Sequence, residues 1–97
     1  MYPCRTQKVL AGADYSETPG KVFGMTIVCP PTVNAVVNIY LGSKIAANQV
    51  EHLVVVGHAS LETVSRVDYG WPKGTTESQP VIVEVIGAGA YAYVDHA

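Results

Sequence analysis

Residues 33–41, VNAVVNIYL, carry the longest uninterrupted alternation in the chain. Val33, Ala35, Val37, Ile39 and Leu41 fall on one side, and Asn34, Val36, Asn38 and Tyr40 on the other. Successive side chains of a strand point to opposite faces, so the segment predicts a strand with one wholly apolar face and one mixed face. Pro30-Pro31 interrupts pairing before it, and Gly42-Ser43 turns the chain after it. An apolar face of this kind needs a second layer to cover it, and the remaining segments supply one.

Before this strand, 22–29 (VFGMTIVC) alternates with Phe23, Met25, Ile27 and Cys29 as the bulkier, inward set, and Gly24 marks a bulge or a close approach. Residues 1–20 form an N-terminal arm and loop, in which 6–11 predicts a short strand with Val9 and Ala11 inward. Residues 12–20 read as a polar connection that turns at Thr18-Pro19-Gly20. Two readings of the arm are open: a loose terminus, or a strand added to a neighbouring molecule. After the organising strand, 42–48 is ambiguous, and a short loop leading into the β-rich run 52–57 is preferred over a helix capped by Ser43.

Residues 59–67 alternate with a weaker inner face (Leu61, Thr63, Ser65, Val67), which predicts an edge or half-solvated strand. Residues 68–80, DYGWPKGTTESQP, read as a long turn-rich connection. In 81–86 Val81, Val83 and Val85 face in and Glu84 faces out. Gly87-Ala88-Gly89 is a turn, and 90–95 closes the chain with Ala90, Ala92 and Val94 inward and Tyr91 and Tyr93 outward. Six to eight short strands with short turns and no convincing helix predict one all-β domain over 1–97, an antiparallel, jelly-roll-like β-sandwich.

Composition changes this picture in one respect. A chain of 97 residues and 10.3 kDa is one domain, and by surface scaling it buries roughly 64% of its unfolded surface. Charged residues make up only 14%, against about 25% in an average globular chain. Either neutral polar groups solvate the surface or other subunits cover much of it. The net charge is -2, and the six Lys and Arg residues are scattered, which argues against a nucleic-acid partner. No apolar run approaches the roughly 18 residues of a membrane span, and the N-terminus has no signal-peptide core. The expectation is a protein made in a cytoplasm that does not enter a membrane. Free thiols are then the default for Cys4 and Cys29.

No segment carries a catalytic or cofactor signature. Gly87-Ala88-Gly89 precedes a strand pattern, where a dinucleotide loop needs a helix. Ser60 lacks the following glycine of a nucleophile elbow. Cys4, Cys29, His52, His58 and His96 show no metal-ligand spacing. Glu62, Glu77 and Glu84 lie in separate segments, mostly at outward positions. The expectation is a protein that is not an enzyme, with no metal and no cofactor. The aromatic residues remain. Tyr40, Tyr91 and Tyr93 occupy the outer sides of their strands, and Tyr69 and Trp71 sit in the long connection. Exposed Tyr and Trp anchor interfaces and also stack on sugars. An intersubunit face is the preferred reading for Tyr91 and Tyr93, and capping of the core is the other reading for Trp71.

The segments VNIYLGSKIAAN, HLVVVGHASLETVSRV and WPKGTTESQPVIVEVIGAGAYAYVDHA resemble, in order, the strand and tight turn, the following strand pair, and the closing loop and strands of small virion β-sandwiches of tailed bacteriophages. The resemblance spans about 22–95 and is one of turns and alternation. The closing loop has Lys73-Gly74-Thr75 in place of the Gly-Asp step often found there. It implies a capsid decoration (cement) protein on the virion surface, or a tail or neck accessory subunit. The implied state is a homo-oligomer, a trimer, partnered by the major capsid protein or another virion protein. The resemblance brings no catalytic residues. The competing class is a carbohydrate-binding module that uses Trp71, Tyr69 and the outer tyrosines.

Overall fold

The computed structural model describes residues 5–12, 16–18, 21–74 and 80–96, with the backbone alone described at 16–18 and 70–74. Its strands are β1 (Arg5–Leu10), β2 (Ser16–Thr18), β3 (Lys21–Cys29), β4 (Ala35–Leu41), β5 (Gln49–Val55), β6 (Thr63–Gly74), β7 (Val81–Ile86) and β8 (Tyr91–His96). They form two antiparallel four-stranded sheets, β1-β8-β3-β6 (sheet A) and β2-β7-β4-β5 (sheet B). The pairs β1–β8, β2–β7, β3–β6 and β4–β5 are all made. The chain is thus one long hairpin, rolled up so that β8 also pairs with β3 and β7 with β4. This is the topology of a jelly roll.

The inner faces follow the alternation. Met25, Ile27, Cys29, Ala35, Val37, Ile39, Val81, Val83, Val85, Ala92 and Val94 are fully buried between the sheets, with Val9 and Ala90 beside them. A register shift at Val22/Gly24 corrects one expectation. The bulge reverses the phase of β3 at its start, so Val22 is fully buried and Phe23 is only half-buried. Gly24 serves both roles expected of it, since a Cβ there would meet the Val67 carbonyl oxygen at 2.7 Å. Cys29 is a buried free thiol whose pKa burial pushes up, and Cys4 lies outside the described residues.

The arm is not loose over Arg5–Leu10, which forms the expected short strand with Val9 inward at the edge of its own sheet beside β8. One further expectation needs correction. The stretch 12–20 contains β2, whose three residues form a strand only because β7 pairs with them. Its expected turn at 18–20 falls partly outside the described residues. The region before β5 is the expected short loop, with one 3-10 turn at Ala46–Asn48.

β6 is the predicted half-solvated edge strand, but it starts at Thr63 and runs to Gly74. The stretch assigned to a long connection is therefore strand as far as Gly74. Between the pairs Gly24↔Asp68 and Val22↔Lys73, β6 carries extra residues that bow out around Tyr69 and Trp71. Turn residues such as Gly70 and Pro72 serve this irregular pairing, which local composition cannot distinguish from a loop.

Candidate functional site

With the inner faces closed against each other, function falls to the outer faces and the ends. On sheet A the registers set the outer side chains in three rows. Leu10, Tyr91, Val28 and Val64 lie across from one another at one end, then Lys8, Tyr93, Thr26 and Arg66, then Thr6, Asp95, Gly24 and Asp68. Tyr91 and Tyr93 pack edge to face, with ring centroids 5.6 Å apart. The Lys8 ammonium sits 4.4 Å from the centre of Tyr91 and 5.8 Å from that of Tyr93, which is cation–π range. Arg66 Nη1 donates to Asp95 Oδ2 at 2.7 Å and to Thr26 Oγ1 at 3.2 Å, while its Nε and Nη2 donate to Asp68.

Sheet B carries a polar network where the alternation predicted a solvated face. Glu84 Oε1 accepts from Asn38 Nδ2 at 3.1 Å and from the Tyr40 hydroxyl at 3.2 Å, and Glu84 pairs with Lys44. Asn38 Oδ1 lies 2.6 Å from His52 Nδ1, which places the imidazole proton on that nitrogen, and it also accepts from Gln49 Nε2. Asn38 and Tyr40 are buried, and Ile82, across from Tyr40, is buried with them. A groove of about 470 Å³ runs beside the network along Ala46, Gln49, Val50, Glu51 and His52 and opens to solvent.

Burial alone would raise the pKa of Glu84, but hydrogen bonds from Lys44, Asn38 and Tyr40 outweigh it and hold the carboxyl below its ordinary 4.5. A depressed folded-state pKa contributes stability that is present above the unfolded value and lost as pH falls through the folded one. Urea unfolding at several pH values should therefore show wild type more stable than Glu84→Gln near neutrality. That gap should shrink progressively below about pH 4.5. A gap independent of pH would mean that the carboxylate charge contributes nothing.

The third feature is one end of the sandwich. The β1–β2, β3–β4, β5–β6 and β7–β8 connections all leave from it. Six of the nine large apolar residues that stay exposed among the described residues gather there: Leu10, Val54, Val56, Leu61, Val64 and Ile86, each 48–70% exposed. The row Leu10–Tyr91–Val28–Val64 on sheet A and the row Ile86–Val36–Val54 on sheet B make an apolar belt around this end. Among the described residues of the four connections, Glu62 alone carries a formal charge.

The end is well tied. The Thr32 amide donates to the His58 carbonyl at 2.8 Å, and the Gly57 amide to Asn34 Oδ1 at 2.9 Å. The Ser60 and Leu61 amides donate to His58 Nδ1 at 3.0 and 3.1 Å. A notch of about 200 Å³ lies between the β1–β2 and β7–β8 connections, lined by Ala11, Gly12, Ile86, Gly87, Ala88 and Gly89. Fully burying one large aliphatic side chain contributes about 1.5–3 kcal/mol. Covering the half to two-thirds of six side chains now in water would contribute on the order of 5–10 kcal/mol. That is comparable to the roughly 4–15 kcal/mol cost of bringing two molecules together.

The aromatic residues singled out in the sequence do not share a surface. Tyr91 and Tyr93 lie on the outer face of sheet A, Tyr93 exposed and Tyr91 half-buried, whereas Tyr40 lies on the opposite outer face. The Tyr40 hydroxyl is engaged with Glu84, and its pKa is raised first by burial and then by that bond. Tyr69 is not a loop residue. It is half-buried on the inner side of β6 and packs against the core. Burial, with the negative charge of Glu51, pushes its pKa up to about 12. Trp71 belongs to β6, and its side chain lies outside the described residues. His52 and His58, weighed in the sequence only as metal ligands, instead bond to Asn38 and cap the 58–61 turn.

Among the described residues no three His, Cys, Asp or Glu side chains are placed to hold a metal ion, and no helix is long and apolar enough to cross a membrane. Comparisons with protein-family models, characterised proteins and solved structures find no match.

Proposed function

We propose that the protein is a structural subunit of a bacteriophage virion, a capsid decoration (cement) protein that stabilises the head by bridging neighbouring capsomers. It acts as a symmetric homo-oligomer, a trimer, on the capsid surface, with the major capsid protein or another virion protein as partner, and performs no catalysis. The observation that supports this reading best is the apolar belt on a charge-poor jelly roll. An ordered surface of exposed aliphatic residues calls for a protein to cover it. The jelly roll is a fold of viral capsid and lectin domains, although a fold by itself does not carry a function. Summed over many copies, contacts that are individually weak become strong by avidity. In this reading the sheet A face with Tyr91, Tyr93 and Lys8 meets the capsid, since it presents exposed aromatic area beside mixed charge.

Density-gradient fractionation of tailed-phage particles tests the reading. The protein should migrate with filled heads, and stripping it should lower the temperature at which they release DNA. Recovery of the protein only in the soluble fraction, together with saturable binding to a glycan array that Tyr93→Ser abolishes, would replace the virion role with carbohydrate binding.

A further inference from the structure

We propose that the apolar end of the sandwich is a self-association surface, closed by a second copy of this chain. The inference deepens the virion reading by naming what covers the belt, and it is tested on the isolated protein.

Charge selects the occupant first. Near a symmetry axis a surface meets its own image, so like charges would face each other there. The outer face of sheet A sets Lys8 and Arg66 in one row, and that of sheet B carries the Lys44–Glu84 pair. The described residues of the four connections carry Glu62 as their one formal charge, and the sequence adds Asp14 between β1 and β2, so two copies converging on this end bring few like charges together. The cation beside the belt is Lys8, held over the Tyr91 and Tyr93 rings, and a single cation gives an anionic lipid surface only about 1 kcal/mol of attraction.

Amount selects it next. The apolar surface of one end is only comparable to the cost of association, while two such ends double the gain. A polar partner surface supplies no such doubling. Shape then fits. Leu61 projects from the 58–62 turn, 63% exposed, on amides pinned by His58. The notch at Gly87, Ala88 and Gly89 lies on the β1–β8 side of the same end, away from the β6 edge that carries Leu61. Leu61 of one copy enters the notch of the next, a contact that closes in a ring of two or three.

Sedimentation equilibrium of the full chain at tens of micromolar decides the matter, with circular dichroism melts run alongside. Wild type should be a dimer or trimer that dissociates on dilution. Leu61→Asp and Ala88→Asp, both at exposed positions, should keep the native melt and weaken association by at least about tenfold. Val50→Asp, exposed at the opposite end, should leave the mass unchanged. A wild-type monomer throughout the range overturns the proposal, as does an oligomer whose mass both end variants leave intact. Binding of a monomeric wild type to phosphatidylcholine vesicles, lost in Leu61→Asp, also overturns it by assigning the end to lipid. None of these outcomes depends on whether the protein travels with virions: a wild-type monomer would remove the oligomer from the virion reading but not virion association, and absence from virions would leave self-association intact.

Discussion

Truncating Ile39 to Ala should lower the free energy of unfolding by about 2–5 kcal/mol, read as a drop in the urea midpoint at unchanged slope. Ile39 is fully buried at the centre of β4, with Val83 of β7 on one side and Glu51 of β5 on the other. β4 is an inner strand of sheet B, so its backbone is held from both sides and cannot collapse into the space left by the missing atoms. The neighbouring Asn38→Ala makes the comparison. Asn38 faces outward yet is buried, and its amide bonds to Glu84, His52 and Gln49. Its loss leaves part of a polar network unsatisfied, at a cost of about 1–3 kcal/mol. The core substitution should be the larger of the two, and the Asn38 cost should be clearly above zero. An Ile39→Ala effect below that of Asn38→Ala would reverse the assignment of the two faces.

Gly57→Ala should destabilise the fold by about 3 kcal/mol, the upper part of the range for overpacking, which in a domain of this size lowers Tm by roughly 12–24 °C. A Cβ on Gly57 would overlap the carbonyl oxygen and carbon of Val33, which are main-chain atoms and cannot rotate away. The Gly57 amide is also bonded to Asn34 Oδ1, so the β5–β6 and β3–β4 connections are held at close range from both directions. Ala59→Ser, two residues further on and exposed, should stay within about 0.5 kcal/mol of wild type. A silent Gly57→Ala would mean that the two connections are free to separate, and the apolar end would then lose the rigidity that presents Leu61.

Much of the fold is legible from single segments. The alternation of 33–41 and 81–86 places Val37, Ile39, Val81, Val83 and Val85 in the core, where they are fully buried. The same holds for Ala92 and Val94 in the last strand, and the weak inner face of 59–67 identifies an edge strand. The failures are equally local in origin. Phe23 exchanges places with Val22 because a bulge inserts one residue of phase that no hydrophobic pattern records. Tyr69 looks like a loop aromatic because Gly70 and Pro72 follow it, yet it lies in the unpaired residues of β6 between Asp68 and Lys73 and packs against the core. The candidate site was less legible. Outward tyrosines were identifiable, but not that Tyr40 lies on the other sheet from Tyr91 and Tyr93.

The sequence by itself determined which side of most strands is apolar, because wherever no bulge intervenes that depends only on the two-residue repeat of an extended backbone. It therefore specified a two-layer β protein and most of its inner residues. Only the tertiary structure decided which strands are neighbours. Thr6 bonds to Asp95 across almost the whole length of the chain, and β2 exists only where β7 lies beside it. The same long-range pairing buried Asn38 on a nominally solvated face by bringing it to Glu84 and His52. It also gathered Leu10, Val54, Val56, Leu61, Val64 and Ile86, drawn from five strands and connections along the chain, into one apolar belt. Four connections meet at that end only because the jelly roll folds its long hairpin back on itself, a consequence of topology that no local pattern encodes.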